Sequence, residues 1–367
     1  MTDVELVRRA KALLDQLTEK PRFAGSAEES RARSLCRTEL ESAGFACVER
    51  PFEFSEWPAR WGPPLAAGVQ VMAVVILSRL AAGGHPITAA AIAAIVVAAL
   101  GAVGGRIRRK GVLTLPYSRS RSVNLEATRG EPTVWLVAHI DSKSQTVPML
   151  VRIASALAVQ AVSLLFVAAL AASAMGRILA GHVWLSLEIG AVAVGLPTIL
   201  CFVGNASPGA VDNATGVVAS LLAAAHPDSP RDLGVLITSG EELGLAGARA
   251  WAAGASVRIK VINCDTVDDG GGWRCMYSGE RPAGITSTAV RVARQLGVSL
   301  KVRSLIPGIL ADNVAFADVR VEAVTISRGN FSTLARIHTW RDTSIAQTGR
   351  GSAEAGVLLA TLAKELR

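Results

Sequence analysis

The sequence predicts an α/β fold with a mostly parallel central sheet, interrupted by two inserted helical hairpins of membrane-crossing length. Three observations predict it. Short, wholly apolar runs end directly in polar residues, as strands of a sheet buried on both faces do. Helical stretches alternate with those runs. Two blocks, 64–105 and 148–203, break the pattern with apolar runs long enough to span about 30 Å of hydrocarbon.

Composition supports the same division. The 367 residues are 50% apolar and 19% charged, with a mean hydropathy of +0.38. Those values exclude a disordered chain and argue against a wholly soluble one. Thirty-eight Lys and Arg stand against 30 Asp and Glu, a net charge of +8, so the position of the basic residues decides what they face. Five cysteines without a CxxC pair argue against a disulfide scaffold or a structural zinc finger and fit a reducing compartment.

Taken in order, Met1–Lys20 carries Val4, Leu6, Val7, Leu13, Leu14 and Leu17 at helical intervals with charges between them, an amphipathic helix rather than a signal peptide. A second helix follows over Glu28–Ala43, then Gly44 as a stop and an extended Phe45–Phe54. Leu65–Ala82 and Pro86–Gly105, separated by Gly83-Gly84-His85, form the first hairpin; Met149–Gly176 and Val183–Val203, separated by 177–182, form the second. Arg79, Arg152 and Glu188 interrupt these runs near their ends, where long side chains snorkel toward water. Each hairpin returns the chain to the side it left, so 1–63, 106–147 and 204–367 are expected to fold as one discontinuous domain.

Arg106, Arg108, Arg109, Lys110, Arg119 and Arg121 lie just beyond the first hairpin, whereas the opposite connections offer Arg177 outside the apolar runs. The positive-inside bias puts the large domain in the cytoplasm, on a bacterial-type inner or plasma membrane. The cluster's position favours lipid headgroups as its partner, and no nucleic-acid-binding motif is present.

In the remaining chain, Thr133–Ala138 runs into His139-Ile140-Asp141, and Asp212-Asn213 opens a helical Ala214–Ala225. Leu233–Thr238 ends in Ser239-Gly240-Glu241-Glu242 before a helical Leu243–Ala253, and Val257–Asn263 ends in Cys264-Asp265. Polar residues just past the carboxyl ends of strands mark where open α/β sheets place their sites. His139, Asp212, Glu242, Asp265 and His338 supply the imidazole and carboxylate set expected for zinc or a similar divalent ion. With one carboxylate bridging, five ligands give two ions three protein ligands each and leave open positions, the arrangement of a catalytic centre. Taken singly, Asp-Asn before a helix reads as an N-cap and Glu-Glu as a solvated first turn. His85, His182 and His226 read as turn or helix-end residues, Cys264 as a small buried one, and Gly270–Gly272 as a loop too short to cradle phosphate.

The chain resembles the co-catalytic di-zinc aminopeptidase family of clan MH, which includes leucyl aminopeptidases, glutamate carboxypeptidases and glutaminyl cyclases. The resemblance rests on Pro21–Gly25, Gly44-Phe45, Ala138–Ser142, Gly209–Gly216, Glu241–Gly247, Cys264-Asp265 and Ile337–Thr343, in family order across nearly all of the non-hairpin chain. It implies a three-layer zinc-exopeptidase-like domain with two zinc ions and a peptide substrate. Asp212 would bridge, His139 and Asp265 would complete one site, and Glu242 and His338 the other. Glu241 would be the general base, and Asp141 would fix the His139 tautomer by a hydrogen bond. The larger spacing between His139 and Asp212 than in relatives matches the second hairpin. That hairpin leaves and returns between two ligand segments, so the rim of the site is expected near the bilayer and a hydrophobic or membrane-derived peptide suits it. Many relatives carry Ser-Asp-His preceded by a tyrosine that holds the oxyanion; here the stretch reads Leu310-Ala311-Asp312-Asn313 with no Tyr in Leu305–Asp312, so carbonyl stabilisation is expected to rest mainly on metal rather than on Tyr277. An aminopeptidase is the leading reading. Cyclisation or carboxypeptidase cleavage at the same metals, and a non-catalytic membrane scaffold, are the alternatives.

Overall fold

A computed structural model describes residues 3–107, 111–305 and 310–367. Arg108, Arg109 and Lys110 of the basic cluster lie outside the described residues. The chain divides into two units: one holds 1–56, 113–144 and 204–367, the other 57–112 and 145–203.

The first unit is built on an eight-stranded sheet. Across the sheet the strands run Ala46–Ser55, Arg119–Arg129, Leu233–Thr238, Val134–His139, Lys260–Val267, Glu322–Gly329, Gly272–Tyr277 and Leu300–Ser304. The four central strands, from Leu233–Thr238 to Glu322–Gly329, pair in parallel. Ala46–Ser55 pairs antiparallel with Arg119–Arg129, which pairs antiparallel with Leu233–Thr238, and Gly272–Tyr277 pairs antiparallel with Glu322–Gly329. Gly272–Tyr277 and the edge strand Leu300–Ser304 pair in parallel, so the sheet is mixed, with a block of four parallel strands at its centre.

Alternation along one strand shows how the layers form. In Val134–His139 every residue is buried, and successive side chains enter opposite faces. Leu136 and Ala138 join a core made with helices Asp3–Leu17, Thr215–Ala224 and Arg350–Glu365, while Trp135 and Val137 join a second core with Ala246–Ala252 and Asn313–Ala317. Two covered faces make three layers. In the second core Trp135 packs on Trp251 with ring centroids 4.7 Å apart, and Trp251 on Phe316 at 5.9 Å. Gly234 makes this possible, because a Cβ there would lie 2.3 Å from the Trp135 ring.

Helix Ala27–Ser42 starts where Ser26 Oγ accepts the Glu29 amide at 3.1 Å, a side-chain N-cap that stands in for the missing turn. Arg119 and Arg121, expected to meet headgroups, lie on a strand and both engage Glu53, at 3.2 and 2.7 Å.

The second unit contains four long helices, Trp57–Ala82, Pro86–Arg106, Met149–Ala174 and Gly181–Ile199, each long and apolar enough to cross a membrane. At 1.5 Å per residue the shortest is about 28 Å long. Its first helix begins upstream of the expected boundary and runs through Pro63 and Pro64. Inside, Val74, Leu77, Phe166, Leu170 and Trp184 share a small core, whereas Ile76, Ile95, Leu157, Leu164 and Ile189 face outward. Close contacts use small and hydroxyl side chains: a Cβ on Gly195 would lie 2.4 Å from Val71 Cγ2, and Ser155 and Thr198 share a 2.7 Å hydrogen bond. The Glu188 side chain is buried among the helices. Its buried carboxylate pairs with Arg79 at 2.5 Å, because pairing costs less than an isolated charge among apolar helices.

Candidate metal centre

His139 ends its strand in register with Thr238 of the neighbouring strand, so the turn that carries Glu241 and Glu242 leaves the sheet beside it. On the other side, the strand Lys260–Val267 runs further than expected, and Asp265 lies within it rather than past its end. The pairing register shifts between Ile326 and Arg328 opposite this point, and Thr266 has φ 58°. Such an irregularity re-aims a side chain at a sheet end; here the re-aimed residue is Asp265, whose Oδ1 comes within 3.6 Å of His139 Nε2.

Asp212 sits on the loop before helix Thr215–Ala224, with a cis Asp212–Asn213 peptide. One carboxylate oxygen lies 3.2 Å from His139 Nε2 and the other 2.9 Å from His338 Nε2. Glu242 Oε1 lies 3.0 Å from the same His338 nitrogen, and His338 reaches this position with φ 60°, a left-handed conformation His tolerates better than most residues. Glu241 Oε2 is 3.9 Å from His139 Nε2. All five expected ligands and Glu241 thus converge, as two clusters: His139, Glu241 and Asp265, and Asp212, Glu242 and His338, with Asp212 between them.

The residues fit divalent cations. Nε2 of His139, both ring nitrogens of His338 and Oε1 of Glu242 are buried without a hydrogen-bond partner. Buried polar atoms are rarely left so; of these, His139 Nε2 and His338 Nε2 both face Asp212, and Glu242 Oε1 faces His338 Nε2. Burial opposes a charged imidazole at His139, but Glu241, Asp141, Asp212 and Asp265 outweigh it and raise its pKa well above the ordinary value. Burial likewise opposes charge at His338, where Glu242 prevails and the pKa rises. Burial pushes Asp212 up, but the two imidazoles hold it far below the usual carboxylate range. Asp265 is raised by burial and by Asp212, and Glu241 is raised well above its ordinary value by burial and by Glu242, Asp265 and Asp312. Carboxylates outnumber cationic groups here, and bound cations balance such an excess.

Asp141 meets the His139 imidazole through its main chain. His139 Nδ1 meets the main-chain oxygen of Asp141 at 3.1 Å, and the Asp141 carboxylate, 3.6 Å from that nitrogen, accepts the amides of Glu241 and Glu242 at 3.2 Å each. It ties the His139 strand end to the Glu241 turn.

Four supporting residues went unassigned by sequence reasoning. Arg22 donates to the carbonyls of Leu17, Ile140, Pro208 and Gly209. Asn213 donates to Cys264 O and accepts from the amides of Gly216 and Thr266, clasping the Asp212 loop to the Asp265 strand. Asp342 accepts the amides of Val211 and Asp212 at 2.8 and 3.1 Å. Lys143 Nζ lies 2.8 Å from Glu242 Oε2. Arg22, Asn213 and Asp342 fall inside the stretches that carry the family resemblance, which is the signal that could have found them. Asp312 is buried under the strand ends and receives the Thr238 hydroxyl at 2.5 Å, with burial pushing its pKa up to about 7. Tyr277 packs against the larger core and does not stand in for an oxyanion tyrosine.

Known structures share this fold. The chain is similar in fold to an aminopeptidase from Aneurinibacillus sp. strain AM-1, at 13% identity and TM-score 0.58 over 97% of this chain and 92% of that one. It is similar to BSAP, a zinc aminopeptidase from Bacillus subtilis, at 14% identity and TM-score 0.56 over 97% and 94%. A Fimbriiglobus ruber glutaminyl cyclase gives 14% and 0.53 over 98% and 95%. No curated protein matches. The model of Peptidase family M28 matches residues 186–360, the segment that carries Asp212, Glu241, Glu242, Asp265 and His338.

Proposed function

We propose that this protein is a zinc-dependent aminopeptidase that removes residues from short peptides, with Glu241 as general base. The observation that carries the reading is Asp212 facing both imidazoles, one carboxylate oxygen to each, with Glu241 beside the pair. His139, Asp212 and Asp265 would hold one zinc ion and Asp212, Glu242 and His338 a second. Zinc in such a site supplies Lewis-acid activation of water and of the scissile carbonyl.

The chain's own groups do the rest. A carboxylate with a raised pKa suits a base that must later act as an acid. Glu241 takes a proton from the attacking water and passes it to the nitrogen of the breaking amide bond, so the amine leaves neutral. Asp141 fixes the Glu241 and Glu242 amides, so neighbouring carboxylates diverge and keep separate roles. The fold likeness to a glutaminyl cyclase makes cyclisation of amino-terminal glutamine the alternative at the same site. Retention of every expected ligand and of Glu241 disfavours a purely structural scaffold.

The test is metal analysis of the purified chain with an amino-terminal peptide library, including peptides that begin with glutamine. Glu241→Gln should keep its metal and lose about 10²–10⁴ in kcat, the usual contribution of a positioned base. Equal turnover by both proteins overturns the assignment, and cyclised product without hydrolysis transfers the site to the alternative.

We further propose that the four apolar helices cross a bilayer and that the peptidase unit faces the cytoplasm. Their length and outward apolar surface support the first part, and the basic residues after the first hairpin support the second. Protease added to inside-out vesicles should digest the peptidase unit, and protection there with digestion in right-side-out vesicles reverses the orientation.

A further inference from the structure

The two halves of the metal centre are not electrostatically equivalent. Around His139 stand the carboxylates of Asp265 and Glu241, and around His338 stands that of Glu242, with Asp212 shared. Among the described residues, a Lys or Arg side chain contacts a carboxylate of the second half alone. Lys143 Nζ lies 2.8 Å from Glu242 Oε2 and donates to the Glu242 main-chain oxygen at 3.1 Å, and its side chain is only 12% exposed. The other oxygen of that carboxylate, Oε1, faces His338 without a hydrogen bond. One ammonium therefore offsets the charge of the ligand a cation would need, and it does so from the other side of the same carboxylate.

We propose that Lys143 makes the two ion sites unequal: the His139–Asp265 site fills first, and the Glu242–His338 site binds its ion more weakly because the Lys143 ammonium competes for Glu242. This rests on the metal reading above and assigns a role to a residue that the reaction itself does not use. A like charge a few ångströms from a divalent ion, even at an effective dielectric constant of about 20, shifts an equilibrium by more than about tenfold. A residue that merely held Glu242 in place would have the opposite effect on removal, since a loosened ligand binds less well. The sign of the change therefore separates the two roles.

The experiment titrates the metal-free full-length chain in detergent with Co²⁺, read by visible absorption, and with Zn²⁺, read by competition with a chromophoric chelator. Wild type should bind two ions in separate steps, the second at least about tenfold weaker. Glu242→Gln should abolish only that second step. Lys143→Met should strengthen the second step and narrow the gap about tenfold or more, and Lys143→Arg, which restores the charge, should reopen it. Two steps of equal affinity in wild type, or a second step weakened by Lys143→Met, overturns the proposal while leaving the two-ion reading intact. Absence of ion binding in wild type overturns that reading and this inference with it.

Discussion

Arg22 offers a demanding test of how the site is held. The residue is 1% exposed, and its guanidinium donates to the carbonyls of Ile140 at 2.8 Å, Leu17 at 2.8 Å, Pro208 at 2.6 Å and Gly209 at 2.9 Å. Ile140 follows His139, and Gly209 begins the loop to Asp212, so one side chain braces two ligand segments. Arg22→Met leaves the carbonyl oxygens of Leu17, Ile140 and Pro208 without donors, at about 2 kcal/mol each, while Gly209 O keeps the Ala214 amide. Set against this is the relief of the guanidinium's own desolvation: burial draws its pKa from 12.5 to about 10, about 3 kcal/mol. The net expectation is a loss of about 3 kcal/mol, a large share of a typical domain's stability. Hydrogen exchange of the full chain should show deprotection first at 137–142 and 207–216, with metal affinity reduced alongside. Arg22→Lys keeps the charge but cannot span four acceptors, and should fall between wild type and the Met variant. Unchanged protection and unchanged metal affinity in Arg22→Met would refute the bracing argument.

Two further predictions concern the surroundings of the site. Glu29 is buried, accepts from Gly25 N at 2.7 Å and Ser122 Oγ at 2.9 Å, and burial, with the charge of Asp141, raises its pKa from 4.5 to about 7. A folded-state pKa raised in this way stabilises the protein fully below about pH 4.5, and the contribution is lost as pH rises to 7, at most about 3 kcal/mol in all. Glu29→Gln, which keeps an acceptor oxygen, should flatten the thermal midpoint between pH 5 and 8; parallel profiles for the two proteins would contradict this. Gly216 lies on a helix, where Ala ordinarily stabilises by about 0.5–1 kcal/mol, yet a Cβ there would sit 2.2 Å from Asn213 Oδ1 and 2.3 Å from Cys264 O. Gly216→Ala should instead destabilise by about 1–3 kcal/mol and weaken metal binding, whereas Gly284→Ala, with open space at its Cβ, should be neutral or stabilising in the same melts and titrations.

What could be read from the sequence, and what could not, divides along a physical line. Strand Leu233–Thr238 was legible to the residue because a run buried on both faces is apolar throughout and stops where the polar turn begins. The strand that carries Asp265 was not, because its end follows from a register shift against Glu322–Gly329, and register depends on a partner that lies some sixty residues away. The ligand residues could be singled out by type and by position after strands. Their bracing could not: Arg22 with Gly209, Asp342 with Asp212 and Lys143 with Glu242 join residues 187, 130 and 99 positions apart. No periodicity marks such pairs, and each partner alone reads as an ordinary charge in a loop. Asp141 shows the same limit at short range. Its place two residues after His139 predicted a bond to the imidazole, but the parallel pairing of His139 with Thr238 sets the Glu241 turn beside it, and two backbone amides compete for the carboxylate. The imidazole then takes the main-chain oxygen that remains. The sheet's strand order thus decides which acceptor each donor finds, and the chemistry of the site is inherited from long-range pairing as much as from its motif.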